Sequence, residues 1–113
     1  MDINTLFQRG NLMYIVTSTV VVPEEKTQDL IDIYRKRSRR VDKAPGFHSF
    51  RLIQNTKKRN ELTVHLEWHS KEAYMEWVRS NEFKEIHDLE KHYPDKALAG
   101  IVPKVHQYEV VAE

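Results

Sequence analysis

A tryptophan and a histidine ten residues apart, Trp77 and His87, are the side chains whose types and spacing best suit chemistry. Phe83, Ile86 and His87 share one face of a predicted helix, because residues three and four apart are neighbours on a helix surface. A neutral imidazole can bind a metal through one nitrogen while a carbonyl or carboxylate orients the other, or it can act as a general base. The alternative is a histidine satisfied by ordinary hydrogen bonds beside a core tryptophan.

A second candidate is the H-x-E-x-H pattern of His65, Glu67 and His69, which could bind a divalent metal ion. These residues alternate with the apolar positions of a predicted strand, and a strand with one half-solvated face explains them equally well. The alternation favours the strand interpretation.

The only basic run is Y-R-K-R-S-R-R, at residues 34–40. Its side chains can pair with Asp29 and Asp32 one turn back, which favours a solvated helix face. The other interpretation is that one or two of the arginines reach an anionic group of a ligand at a pocket mouth.

The composition excludes several classes of function. Without cysteine there are no disulfides, thiolate metal sites or cysteine nucleophiles, and nothing indicates an oxidising compartment. The positive charges of the 18 lysine and arginine residues nearly cancel the negative charges of the 17 aspartate and glutamate residues. The third strand, E-L-T-V-H-L-E-W, also lacks the RNA-recognition signature, so we expect no nucleic-acid partner. The chain contains no hydrolase nucleophile motif and no glycine-rich phosphate loop. A signal peptide and a membrane-spanning apolar run are also missing, so we expect no membrane partner and a cytoplasmic protein.

The elements that must position these residues follow the order β-α-β-β-α-β. Residues 1–11 are predicted to form a flexible N-terminal arm, and residues 12–113 a single domain. Strands are predicted at residues 13–22, 47–54, 61–69 and 104–112, with a first helix at 24–41. Ser70 and Ser80 are good N-cap residues and split the second helical region in two. This order predicts a ferredoxin-like α+β fold, an antiparallel sheet with helices on one face.

The first strand, M-Y-I-V-T-S-T-V-V-V, is nearly apolar on both faces. A sheet with helices on one side only would leave one of those faces in water. A second copy of the sheet packed there would cover it, and we therefore predict a homodimer with two-fold symmetry.

The sequence resembles the antibiotic biosynthesis monooxygenase-like superfamily of dimeric α+β barrels, and within it the heme-degrading monooxygenases. The similarity extends in order and spacing from about residue 13 to 113. It is carried by Pro45-Gly46-Phe47 at the start of the second strand, Trp68 at the end of the third, and Ser70, Trp77, Ser80, Phe83 and His87.

The resemblance implies that heme is both cofactor and substrate, with O₂ and an external electron donor, and that the porphyrin ring is opened and iron released. It implies that His87 is the axial ligand of the heme iron, that Trp77 presses on the porphyrin and distorts it, and that Phe83 contributes to heme binding. The family carries an asparagine on the first strand that hydrogen-bonds the distal ligand. Ser18 stands there in this chain, and its shorter hydroxyl is also a donor.

Two alternatives stay open. The chain could be a cofactor-independent monooxygenase of quinol-like aromatics, in which His87 is the base that deprotonates a substrate hydroxyl. It could also be a non-catalytic ligand-binding or stress-response module that uses the same pocket.

Overall fold

The computed structural model describes residues 12–113, so the predicted flexible arm at residues 1–11 lies outside the described residues. The order of elements is the predicted one, with the second helical region split in two. One-turn 3-10 segments lie at Glu24–Lys26 and Arg40–Lys43. The strands and α-helices are β1 (Tyr14–Val21), α1 (Thr27–Arg35), β2 (Phe47–Gln54), β3 (Glu61–Trp68), α2 (Lys71–Arg79), α3 (Asn81–Lys91), α4 (Lys96–Ala99) and β4 (Lys104–Glu109).

The four strands form one antiparallel sheet in the order β2-β3-β1-β4. The most apolar strand, β1, is a central strand, because it pairs with β3 on one edge and with β4 on the other. Its residue Ser18 lies opposite Val64 of β3 and Val105 of β4. The sheet order and the two-layer arrangement confirm the predicted ferredoxin-like α+β fold.

Alternate residues of each strand face opposite sides of the sheet. On the helix side, β1 and β3 contribute buried side chains to a largely aromatic core, whose buried members are Tyr14, Val16, Val41, Trp68 and Trp77. We call the other side the open face. It carries Val21, Ile53 and Tyr108, each about half exposed.

The first helix is shorter than predicted. The apolar spacing predicts residues 24–41, whereas α1 ends at Arg35. Arg39 then has a left-handed φ of 61°, which a right-handed helix of L-residues does not accommodate. The 3-10 turn that follows directs Val41 into the core. Val41 therefore reaches the core from a separate turn and not from the face of α1.

The predicted turn before β2 is the point where three elements meet. Gly46 has a φ of 81°. Its carbonyl accepts a 2.8 Å hydrogen bond from the backbone N–H of His69, just after β3. A Cβ atom at Gly46 would lie 2.4 Å from the Cβ of Ala73, in the first turn of α2. This close approach fixes α2, the helix that carries Trp77, against the ends of β2 and β3.

The segment between α3 and β4 contains the short helix α4. Asp95 caps the short helix α4, because one of its carboxylate oxygens accepts a 3.0 Å hydrogen bond from the N–H of Ala97. The other oxygen accepts a 2.8 Å bond from Lys26, which precedes α1. Within residues 12–113, no helix is long and apolar enough to cross a membrane.

Candidate functional site

The helices α2 and α3 meet at a single side chain, Ser80. Its hydroxyl donates a 2.6 Å hydrogen bond to the carbonyl of Trp77 and accepts a 3.1 Å bond from the N–H of Phe83. Ser70 caps the start of α2 in the same manner, by accepting a 3.0 Å bond from the N–H of Ala73. Both predicted caps are therefore present. One hydroxyl ends the helix that carries Trp77 and begins the helix that carries His87.

A continuous series of ring contacts runs from the core to His87. The ring centroids of Trp68 and Trp77 are 6.4 Å apart, those of Trp77 and Phe83 are 6.1 Å apart, and those of Phe83 and His87 are 4.2 Å apart. Exposure rises along the series: Trp68 is 0% exposed, Trp77 is 8% exposed, Phe83 is partly buried and His87 is exposed. Trp77 is thus a core residue, and Phe83 links it to the accessible imidazole.

The imidazole of His87 makes no hydrogen bond within the described part of the chain. Its neighbour one turn along α3 is Glu90. Partial desolvation raises the pKa of the Glu90 carboxyl, and the nearby His87 opposes this effect. Both ring nitrogens of His87 are therefore available to a ligand, with a carboxyl group close by.

Ser18 lies on the helix side of the sheet, two residues beyond Val16 in β1. It is partly buried, and its hydroxyl makes no side-chain hydrogen bond to any other described residue. The structure thus places Ser18, Trp77 and His87 on the same side of the sheet. Trp77 and His87 are connected through Phe83, whereas Ser18 is separated from Trp77 by the core.

The helices do not cover the edge of the sheet next to Ser18. All six residues of β4 are exposed, including Val105, which is 50% exposed on the helix side opposite Ser18. An accessible imidazole beside an aromatic ring can bind a flat, hydrophobic ligand. The pair also fits heme, because His87 offers an unoccupied nitrogen donor and Phe83 offers apolar surface.

The arginines of the basic run all have partners inside the chain. Arg37 forms a two-bond pair with Asp42, at 2.9 and 3.3 Å, and lies 3.9 Å over the ring of Phe50. The remaining pairs are Arg35 with Asp32, Arg39 with Asp42, and Arg40 with Glu82 and Glu85. These pairs support the interpretation of a solvated, internally paired surface over that of an anion-binding cluster.

The H-x-E-x-H residues do not form a metal site. His65 Nδ1 and His48 Nε2 each lie 3.9 Å from a carboxylate oxygen of Glu67 on the open face. His69 follows the strand and stacks edge-on against His48, at 5.2 Å between centroids. Among residues 12–113, no three histidine, aspartate or glutamate side chains converge closely enough to hold a metal ion.

Two open clefts lie away from these residues. One, of about 560 Å³, lies between the start of α2 and the paired ends of β1 and β4, and includes Tyr14 and Ser70. The other, of about 600 Å³, lies beside the β2–β3 hairpin. Ser18, Trp77 and His87 line neither cleft. The candidate site is therefore the accessible surface of α3 around His87 and Phe83.

Sequence reasoning missed two side chains that tie α3 to the rest of the protein. The phenol of Tyr34 in α1 lies near Glu90, and burial followed by that charge raises its pKa to about 12. Arg40 contacts Glu82 and Glu85 of α3. No local pattern could reveal either contact, because the partners lie more than 40 residues apart.

Comparisons with known proteins identify the family of this chain. Residues 13–89 match the family model described as antibiotic biosynthesis monooxygenase. Over 100 residues the chain is 32% identical to a heme-degrading monooxygenase of Bacillus thuringiensis (strain Al Hakam), covering 87% of this chain and 90% of that protein. A heme-degrading monooxygenase of Bacillus cereus (strain AH187) gives the same identity and coverage.

The fold is also similar to solved structures. The heme degrader MhuD of Mycobacterium tuberculosis, solved with two hemes bound in its active site, is 22% identical with a TM-score of 0.68, covering 89% of this chain and 97% of that one. A conserved protein of Methanosarcina mazei Go1 is 22% identical with a TM-score of 0.65, covering 90% and 96%. At these identities the structural likeness establishes the fold.

Proposed function

Because the chain belongs to the antibiotic biosynthesis monooxygenase family, we propose that it is a heme-degrading monooxygenase of the cytoplasm that opens the porphyrin ring and releases iron. Heme would be both cofactor and substrate, and O₂ and an external electron donor would be consumed. The identity to heme-degrading relatives supports this proposal.

The observation that carries the proposal is the accessible imidazole of His87 at the end of the aromatic series. A neutral histidine with a free ring nitrogen is a common axial ligand of heme iron. The Phe83 ring, 4.2 Å away, would pack beside the ligand and limit the access of water. Trp77, 8% exposed and packed on Trp68, would be a rigid support behind the Phe83 ring, and only its small exposed edge would press on a bound porphyrin.

Oxygen activation is the chemistry that bound heme would supply, so the protein contributes ligation, orientation and exclusion of water. His87 would hold the iron. The unbonded hydroxyl of Ser18, on the same side of the sheet, would donate a hydrogen bond to a polar atom of the ligand. Glu90, one turn from His87, is placed to orient the second ring nitrogen, as carboxylates do for metal-bound histidines.

We further propose that two copies associate through their open faces. Val21, Ile53 and Tyr108 are 45%, 47% and 50% exposed on that face. A second sheet packed on this face would remove these apolar side chains from water.

The test of function is a titration of the purified protein with hemin, followed by the Soret absorption band. Three proteins are compared: wild type, His87→Ala and His92→Ala. His92 is a matched control because it is an exposed histidine at the end of the same helix, with Nδ1 2.8 Å from the carbonyl of Asp88. We expect saturation at one heme per chain, a shifted Soret band and weaker binding for His87→Ala, and wild-type behaviour for His92→Ala.

Two results would contradict the proposal. One is the lack of saturable binding, which would leave the quinol-type oxygenase and the ligand-binding module as explanations. The other is an identical spectrum for wild type and His87→Ala, which would remove the axial-ligand role. If heme binds as expected, adding a reductant and O₂ should bleach the Soret band. The Ser18→Ala variant should bind heme normally, but its Soret band should bleach more slowly than that of wild type.

The test of assembly is the mass in solution, measured by sedimentation equilibrium for wild type, Tyr108→Glu and Val105→Glu. Tyr108 and Val105 are each 50% exposed on β4, but they face opposite sides of the sheet. Tyr108→Glu should dissociate the dimer, because it places a charge in the apolar contact, and Val105→Glu should leave it intact. A monomeric wild-type protein, or equal effects of the two substitutions, would refute assembly through the open face.

A further inference from the structure

The helix that carries His87 is only weakly anchored by apolar packing. No residue of α3 is fully buried. Only Phe83 and Ile86 of this helix pack against the core cluster, and both are partly buried. A helix held by so little apolar burial can open locally at a small fraction of the global unfolding free energy. Other contacts must therefore fix the position of His87.

Arg40 makes such a contact by reaching two acidic side chains one turn apart on α3. Its Nη2 atom lies 2.5 Å from a carboxylate oxygen of Glu85, and its Nε atom lies 3.6 Å from a carboxylate oxygen of Glu82. The planar guanidinium presents several donors in a fixed arrangement, which suits two carboxylates on one helix face. The Arg40 side chain is 32% exposed, and those of Glu82 and Glu85 are 56% and 62% exposed, so solvent screens both pairs.

The base of Arg40 is itself fixed to the core. Arg40 begins the 3-10 turn that follows the left-handed Arg39. The next residue, Val41, is buried in the same cluster as Trp77. The guanidinium thus joins a rigid part of the core to the exposed side of α3.

We propose that Arg40 is a positioning residue, which clamps α3 through Glu82 and Glu85 and so sets the position of His87 relative to Trp77. The consequence for ligand binding rests on the proposed role of His87. The clamp itself does not, and it can be tested on the ligand-free protein.

The test is amide hydrogen exchange of α3 in the ligand-free protein, with Arg40→Gln compared with Arg35→Gln. Arg35 is a matched control, because within residues 12–113 its one ion pair is with Asp32 of its own helix, at 3.6 Å. Exposed ion pairs contribute little to global stability, so we expect a near-unchanged denaturation midpoint but roughly threefold to fivefold faster exchange in α3 for Arg40→Gln. Arg35→Gln should leave α3 exchange unchanged.

A double-substitution cycle separates the clamp from a general loss of charge. Glu85→Gln should also speed exchange in α3. The double variant Arg40→Gln/Glu85→Gln should exchange no faster than Arg40→Gln alone, because Arg40→Gln already removes the contact with Glu85. Arg40→Lys should give an intermediate exchange rate in α3, since lysine keeps the positive charge but lacks the planar guanidinium with its several donors. Additive effects, or α3 exchange in Arg40→Gln equal to that in Arg35→Gln, would overturn the proposal.

Hemin titration of Arg40→Gln then tests the functional consequence, with a broadened Soret band and weaker binding expected. If wild type fails to bind hemin while α3 exchange responds as expected, the proposed function fails and the clamp stands. If hemin binds through His87 but α3 exchange is indifferent to Arg40, the clamp fails and the proposed function stands.

Discussion

Replacing Gly46 by alanine should destabilise the protein through two effects that can be separated. The φ of 81° at Gly46 is a left-handed conformation, which costs an L-residue about 1–2 kcal/mol. The added Cβ would lie 2.4 Å from the Cβ of Ala73, against a normal carbon–carbon separation of about 3.5–4.0 Å. Overpacking of this kind costs about 1–3 kcal/mol. The lower entropy of the unfolded alanine chain offsets about 0.4–1 kcal/mol, which leaves a loss of roughly 2–4 kcal/mol.

A second substitution isolates the steric part. Ala73→Gly removes the obstructing methyl group, at a cost of up to about 1 kcal/mol in helix propensity. In the double variant Gly46→Ala/Ala73→Gly, the overlap is gone and the backbone strain remains. We expect the two substitutions to interact favourably by about 1–3 kcal/mol, the value of the overlap.

The assay is urea denaturation followed by tryptophan fluorescence. Trp68 and Trp77 are the two tryptophans of the chain, and both are buried, so their emission reports the core directly. Gly100→Ala is the control, because its new Cβ would meet the Lys96 carbonyl at 3.3 Å, without a positive φ. The reasoning is refuted if Gly46→Ala is within about 0.5 kcal/mol of wild type, or if Ala73→Gly fails to recover any stability.

Two further predictions concern the core and its ionisation. Tyr34 binds its proton more tightly in the folded protein, where its pKa is about 12, than in the unfolded chain, where it is near 10. The contribution of Tyr34 to the free energy of unfolding is therefore complete below pH 10. It falls as the pH rises towards 12, by up to roughly 1.4 kcal/mol per pH unit. Tyr34→Phe should reduce the loss of stability between pH 9 and pH 11, and the remainder should come from Tyr74, whose pKa burial also raises. Urea midpoints at pH 9 and pH 11 that fall equally in wild type and Tyr34→Phe would contradict this reasoning. Trp77→Ala should cost about 3–5 kcal/mol because the side chain is buried among Trp68 and its neighbours, and a urea midpoint close to that of wild type would disprove the core role.

Much of the fold follows from local patterns in the sequence. The hydroxyl caps at Ser70 and Ser80 and the strict alternation from Leu62 to Trp68 predict those elements closely, because each depends on residues within a few positions. The predicted end of α1 was wrong because no residue close to it in sequence indicates where the helix stops. The apolar spacing continues to Val41, and nothing local signals that Arg39 takes a left-handed conformation.

The candidate site is less accessible to sequence reasoning than the fold. The contact of Phe83 with His87 is local and was predicted from helical spacing. Whether Trp77 faces the core or a ligand depends on how α2 packs on the sheet, and its burial beside Trp68 shows that it belongs to the core. The clamp from Arg40 to Glu85 joins residues 45 positions apart, so only the three-dimensional arrangement reveals it.

The two hydrogen bonds of Ser80 limit which residues can occupy that position. The side chain there must donate a hydrogen bond to the carbonyl of Trp77, at 2.6 Å, and accept one from the N–H of Phe83, at 3.1 Å. A carboxylate can only accept, whereas a hydroxyl donates and accepts through a single oxygen atom, which serine and threonine carry at that reach. In a set of related sequences, position 80 would therefore be expected to vary as little as a ligand-binding residue does. A search for functional residues by invariance would select Ser80 for its role at the helix junction, without any contact between its side chain and a substrate.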